Sequence, residues 1–277
     1  MTNGTCKLTG NNGPFVKSHM IPKALTYGAE KRLPFAQAGR DIAPIKRWDS
    51  WYDQRIVTQA GETILEAYDD WAIRELRSHH LVWSGWGQNK TVPAKVMEIP
   101  NSGGWGVRKV TGIDGGRLRL FFLSLLWRAA VSEMPEFEEV RLHASDVRRL
   151  RNMVRDGDPN PSKRFPIALV QLSTIGAIHN LCPLQQRKPK QPWLKNGPSY
   201  PIFRFYFDGL IAHIHTEISE GEVEELGPMF VGNQEELAVS TIPFETSWQR
   251  GNLSELIREA ETRWPERLAK IPGFGPN

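Results

Sequence analysis

The alternation of apolar and polar positions divides the chain into readable pieces. In "GETILEAYDDWAIRELRS", residues 61–78, the positions Ile64, Leu65, Tyr68, Trp71, Ala72 and Leu76 recur at the spacing of one helix face. Glu62, Glu66, Asp69 and Asp70 form an acidic stripe on the same segment, three or four residues apart. "RLRLFFLSLLWRAAV", residues 117–131, is apolar almost all round and predicts a buried helix. "ASDVRRLRNMVRDG" predicts an amphipathic helix with Ser145 as N-cap and Gly157 at its end. A last helix is expected from Asn252, where an Asn-x-x-Glu capping box closes on Glu255, with Pro265 starting a new turn.

Strand signals are clearest in "YPIFRFYFDGLIAHIHTEI". Asp208-Gly209 between two alternating runs predicts a two-residue hairpin turn. That register opposes Phe207 to Leu210, Phe205 to Ala212 and Phe203 to Ile214, giving one apolar face. Ile202, Arg204 and Tyr206 oppose His215, His213 and Ile211 on the other face, which is expected to be solvated. "PIALVQL", residues 166–172, reads as a further strand. Residues 81–116, with their tryptophans and glycines, read as strands joined by turns. Residues 1–60 read as loops around short strands, and 185–198 as a basic, proline-interrupted loop. The sum is an α+β fold.

Composition narrows the class. The chain of 277 residues is 40% hydrophobic and 24% charged, an ordinary globular balance that can bury a sizeable core. The longest apolar run, Leu120 to Trp127, is too short to span a bilayer and is flanked by Arg117, Arg119 and Arg128. With no charged-then-apolar leader, a cytoplasmic protein is expected. Cys6 and Cys182 are the two cysteines, too few for a disulfide framework or a four-thiolate zinc site. The net charge of +4 hides a polarity. Residues 1–55 carry nine Lys or Arg against four acids, and residues 211–277 carry five against twelve. A basic front suits phosphate, and an acidic C-terminal third suits a partner protein. Equally, the two ends could face each other within one fold.

Motifs for the commoner chemistries are missing: there is no Walker loop, dinucleotide fingerprint, Gly-x-Ser-x-Gly elbow or catalytic-cysteine pattern. "HIHTE" places His213, His215 and Glu217 on one strand face, a spacing that can seat a transition metal. The simpler reading is a hairpin face, with the Arg204 cation opposite His213 disfavouring a metal. His79-His80 closes a helix, where a cation complements the dipole.

The stretch "CKLTGNNGPFVKSHMIPKAL", residues 6–25, carries the sharpest signal. With "WYDQRIVTQAGETILEAYDDWAI" after it, it resembles the HNH, or ββα-metal, endonuclease superfamily, and more narrowly a bacterial group of HNH-like proteins. In that group a Cys-x2-Cys pair precedes Ser-His-Ile-Ile-Pro, and a second pair opens a helix containing Tyr-Glu/Asp-Asp. "LRLFFLSLLWRAAVSEMPEFEEVRL" and "VRRLRNMVRDGDP" also resemble the group, so the likeness covers about residues 6–170. It implies an HNH-like module at 1–80 docked on a larger α+β portion at 81–277. It implies His19 as general base on an attacking water, beside one divalent ion. Lys7, Lys17 and Lys23 would contact phosphates.

The departures from that pattern are specific. The zinc positions read Cys6, Thr9, Thr58 and Gly61, so three thiolates are missing and no structural zinc is expected. Packing by Phe15, Trp48, Trp51 and Tyr52 is expected to replace it. Ser18 stands where an acidic or histidine ligand usually precedes the base. Glu62 stands where the helix would supply a metal histidine; with Asp69 or Asp70 it would suit Mg2+ or Mn2+, which prefer oxygen. As a structural residue, Glu62 is simply a favourable first-turn acid. The sequence therefore carries two functions: a metal-dependent endonuclease acting on DNA, of the kind used in bacterial defence or mobile elements, and a catalytically inactive subunit that binds nucleic acid or protein. A metalloenzyme centred on His213 and His215 is a third.

Overall fold

The computed structural model describes residues 2–26, 35–39, 41–47, 50–189, 199–216 and 218–270. Trp48, Glu217 and the basic stretch 190–198 lie outside them. The fold is α+β.

The N-terminal part begins with an antiparallel pair, β1 (Asn3–Thr5) and β2 (Asn12–Pro14). A two-residue strand, β3 (Ser18–His19), then leads to the hairpin of β4 (Phe35–Gly39) and β5 (Ile42–Arg47). The chain returns as β6 (Tyr52–Asp53), antiparallel to β3 with His19 opposite Tyr52, and runs directly into α1 (Gln59–Ser78). Two strands and a helix thus enclose the Ser18–His19 segment. Leu65, Trp71, Ala72 and Leu76 of α1 are buried, as the helical spacing requires.

The larger part is a seven-stranded sheet. In chain order its surroundings are β7 (Met97–Glu98), β8 (Gly106–Val110), α2 (Gly115–Val131) and α3 (Ala144–Asp156). There follow β9 (Ile167–Leu172), β10 (Asn180–Leu181), β11 (Leu184–Pro189), β12 (Ser199–Phe207) and β13 (Leu210–His215). The chain closes with α4 (Glu220–Glu225), β14 (Leu237–Ile242), α5 (Trp248–Arg263) and α6 (Pro265–Leu268). The strand order is β11-β12-β13-β9-β14-β8-β7, with only β14 and β9 parallel. β10 instead pairs with β4, joining the two parts.

The β12–β13 register is the one the Asp208-Gly209 turn demands, pair for pair from Ile202–His215 to Phe207–Leu210. Both turn residues have positive φ, +48° and +79°, as this tight turn requires. Gly209 is doubly constrained, because a Cβ there would stand 2.4 Å from the Trp83 ring. Phe203, Phe205, Phe207, Leu210, Ala212 and Ile214 face a core shared with α2, where Phe122 stacks on Phe207 with ring centroids 6.2 Å apart. That core is continuous with Cys6, Leu8, Ile56, Val57 and Leu65 of the N-terminal part.

The other face departs from expectation. Far from being solvated, Ile202, Arg204, Tyr206, Ile211 and His215 are buried. The hairpin is central, with β11 and β9 on its flanks, and Trp83, Trp86, Phe244 and Leu253 cover it. Its Arg204 is satisfied through one chain of bonds. Arg204 donates to the Gln249 carbonyl, and the Gln249 amide donates to His179 Nε2 at 2.6 Å. His179 Nδ1–H in turn donates to the Ala177 carbonyl at 2.6 Å. Burial pushes the His179 pKa down to about 4, consistent with this neutral tautomer.

Three boundaries also move. Residues 184–189 are an edge strand where a loop was expected. α5 starts at Trp248 under a Ser247 cap, not at Asn252, because the Ser247 hydroxyl accepts from Arg250 N–H. α3 is capped by His143 and begins at Ala144, ahead of Ser145, while Gly157 ends it in the left-handed conformation as expected.

The hairpin turn yields a pH prediction. Ser84 N–H donates to both Asp208 carboxylate oxygens at 3.2 and 3.3 Å. Burial nevertheless pushes the Asp208 carboxyl up to about 7. The folded chain therefore holds that proton more tightly than the unfolded chain. This contribution is full below about pH 4 and is lost as pH rises towards 7. Asp208→Asn keeps a residue that tolerates positive φ. Urea denaturation from pH 4 to 8 is expected to show a flatter stability profile for the variant. Identical profiles would refute the assignment.

Candidate functional site

His19 ends β3 and is half-buried, with Tyr52 set edge-on to its ring at 6.3 Å. The strand is too short to hold its position by pairing alone. Its anchor is Arg128, an arginine inside the otherwise apolar α2. The Arg128 guanidinium donates to the His19 carbonyl at 2.8 Å and to the two Asp69 carboxylate oxygens at 2.7 and 2.9 Å. It also donates to the Ser124 hydroxyl at 3.3 Å. Arg128 is 1% exposed and Asp69 15%. Burial dominates and holds the Asp69 carboxyl above the ordinary aspartate value, against the pull of the Arg128 charge and hydrogen bonds.

Glu62 lies two turns before Asp69 on the same face of α1. Burial raises its carboxyl, opposed by the Ser18 hydroxyl and the Arg128 charge. Glu62 Oε2 and Ser18 Oγ are both buried, and neither makes a well-formed hydrogen bond to a described residue. The two groups lie against each other at the start of α1.

The proposed ligands separate accordingly. Glu62 has an oxygen to offer. Asp69 is gripped by Arg128 through both oxygens, and Asp70 is exposed on a different face of α1. Among the described residues no group of three or more His, Cys, Asp or Glu is arranged to hold a metal ion. A Mg2+ or Mn2+ ion held by Glu62 would keep most of its coordination for water and phosphate oxygens, as magnesium commonly does.

The lysines separate too. Lys17 is exposed with its ammonium 4.1 Å over the Tyr52 ring, next to His19. Lys23 is exposed in the turn Lys23–Leu25. The Lys7 ammonium is engaged by the Val131 carbonyl at 2.9 Å and Glu133 at 3.2 Å, tethering the N-terminal loop to the end of α2.

Behind the site, Cys6, Thr9, Thr58 and Gly61 converge. Thr9 N–H points at Cys6 Sγ at 3.4 Å, and a Cβ on Gly61 would stand 2.7 Å from that sulfur. Phe15 bridges to Thr58, while Lys7 N–H and Val16 N–H donate to the Ile56 and Val57 carbonyls. Burial acts to raise the Cys6 thiol, but the Thr9 hydroxyl and the backbone N–H groups of Thr9, Thr58 and Leu8 outweigh it, so its pKa is lowered. Of the aromatic residues expected to hold this region, Trp51 is buried against Phe137. Tyr52 is exposed, and the packing is supplied instead by Leu8, Ile56, Val57 and Leu65.

His213 and His215 make a different environment. His215 is enclosed between Tyr200 and Phe230 at 5.0 and 5.4 Å, and His213 faces Arg204 across the register. His79 pairs with Glu75 at 3.5 Å, and His80 bonds the Gly85 carbonyl. The cation at the end of α1 is the buried Arg108, which donates to the His79 carbonyl at 2.7 Å and the His80 carbonyl at 3.2 Å.

Removing one partner of the Asp69–Arg128 pair strands a buried charge. Asp69→Ala is expected to cost about 3–5 kcal/mol in urea denaturation, with Asp69→Leu/Arg128→Met recovering most of it. A loss below about 1 kcal/mol would show that the pair does not hold the site. Gly61→Ala is expected to cost about 1–3 kcal/mol by driving a methyl group into Cys6; an unchanged midpoint would refute that packing. No protein-family model, no curated protein and no solved structure matches this chain.

Proposed function

We propose that this chain is a metal-dependent HNH-like endonuclease acting on DNA. The observation that carries the reading is the convergence of Cys6, Thr9, Thr58 and Gly61 behind a strand–strand–helix unit whose first strand ends at His19. Those are the four positions at which the resemblance places zinc thiolates, and the Cys6–Thr9 pair lies far in sequence from the Thr58–Gly61 pair. Their meeting is what a degenerate HNH module would retain.

In this reading His19 takes a proton from the attacking water, whose oxygen bonds to phosphorus as the P–O bond to the leaving oxygen breaks. Histidine can accept that proton near neutral pH without a large shift. Arg128 fixes the strand through the His19 carbonyl, and Lys17 and Lys23 lie on the exposed side for backbone phosphates. Glu62 would hold Mg2+ or Mn2+, which would neutralise charge developing on the phosphate and the leaving oxygen. Bacterial defence or a mobile element is the setting that the resemblance implies. No described helix is long and apolar enough to cross a membrane.

A second reading has its own support: a non-catalytic subunit that binds nucleic acid, or a partner protein through the acidic residues 211–277. The grip of Arg128 on both Asp69 oxygens favours it, since this leaves Glu62 as the one buried carboxylate of the site with an oxygen lacking a well-formed bond.

Plasmid DNA incubated with Mn2+ or Mg2+ separates the two. The parent is expected to nick it, with His19→Ala at least about a hundredfold slower. Glu62→Gln should weaken Mn2+ binding measured by calorimetry. Equal cleavage by parent and His19→Ala would sink the assignment of the base, and salt-sensitive DNA binding without cleavage would favour the second reading.

A further inference from the structure

The geometry points to a nucleic-acid contact surface away from His19: we infer that the outward face of α3 binds the phosphate backbone of duplex DNA. This deepens the reading of the chain as a DNA-acting protein but requires no catalysis.

α3 carries Arg148, Arg149, Arg151 and Arg155 in thirteen residues, against Asp146 in its first turn and Asp156 at its end. Leu150, Met153 and Val154 are buried on its inner face, which packs on α2, and Tyr68 of α1 donates to the Val154 carbonyl at 2.8 Å. Arg148, Arg149 and Asn152 are exposed on the outer face. Arg141 and Arg164, both exposed, extend the basic character beyond either end. Caps at His143 and Gly157 hold the helix rigid.

An ordinary solvated helix mixes its charges. α1 does so, with Asp70 and Arg74 four residues apart and Glu75 paired to His79. α3 sets Asp146 three residues before Arg149, but it also places Arg151 and Arg155 at i,i+4, a like-charge spacing that destabilises a helix. Asp156 relieves part of this by taking Arg155 at 2.7 Å. A concavity of about 380 Å³ lies beside Arg149, but Asp156 and Asp158 line it, so an anion is directed to the Arg148–Arg149 side.

Arginine rather than lysine suits phosphate, because its planar fork bonds two oxygens at once. The occupant is a nucleic acid rather than a lipid surface. A membrane-bound amphipathic helix must lay its apolar face in lipid, and the apolar face of α3 is already buried in the core.

The test uses the full chain and a labelled random-sequence DNA duplex, with affinity followed by fluorescence anisotropy across a salt series. Arg148→Ala/Arg149→Ala is expected to weaken binding at low salt at least about tenfold and to reduce the salt slope by about two. Arg148→Lys/Arg149→Lys should keep the slope. A double-alanine variant with the parent's slope and an unchanged melting temperature would overturn the inference. So would a parent that binds phosphatidylserine vesicles but not the duplex. Arginine-dependent binding without Mn2+-dependent cleavage would uphold this surface while removing the nuclease reading. Cleavage with an unchanged slope would do the reverse.

Discussion

The site depends on one buried ion pair. Arg128 reaches out of an apolar helix to three elements at once: its own Ser124, Asp69 on α1, and the backbone of His19 on β3. An unpaired guanidinium at that depth would be very costly, so the three elements can assemble only in the arrangement that satisfies it. The pair supplies geometry more than net stability, since well-packed apolar residues can often replace such ions at no loss. Its consequence is that the His19 backbone is set by the core of the larger part, not by the two-residue strand that carries it.

The same device recurs. Arg119 is buried and donates to the carbonyls of Pro159 and Phe165, closing the loop before β9. Arg108 bonds the His79 and His80 carbonyls just past the end of α1, and Arg204 bonds Gln249 at the start of α5. Burial lowers the pKa of each of these three. Guanidinium groups remain charged at such depths, which lets arginine tie backbone carbonyls together where lysine would lose its proton.

Legibility followed locality. The Asp208-Gly209 turn, the apolar face of α1 and the Gly157 stop rest on contacts within a few residues, and pattern reading recovers them in detail. The solvated face assigned to the hairpin failed because alternation reports that two faces differ, not what covers the second. Trp83, Phe244 and Leu253, which cover it, come from three distant segments. The role of Arg128 was missed for a related reason. A lone arginine inside "FFLSLLWRAAV" does signal a buried charge in need of a partner, but the sequence does not say that Asp69 answers it rather than Asp70 beside it. For the same reason Asp69 reads as a metal ligand in sequence and as an ion-pair partner in space. Glu62 lies in the first turn of α1 with Ser18 as its neighbour, a placement the local sequence already implies.

In the proposed reading, the four thiolate positions must be held together without a structural metal. Metal contributes folding energy outright in small domains that lack a core, and there the loss of three cysteines would be fatal. Here Cys6, Leu8, Ile56, Val57 and Leu65 belong to the same continuous core as α2 and the large sheet. Each buried aliphatic side chain contributes roughly 1.5–3 kcal/mol, so a handful of them approaches what a metal supplies elsewhere. Gly61 leaves room for Cys6 Sγ, and the Thr9, Thr58 and Leu8 N–H groups still point at that sulfur. A side chain at Gly61 would collide with the thiol, so close packing fixes the spacing of the two segments.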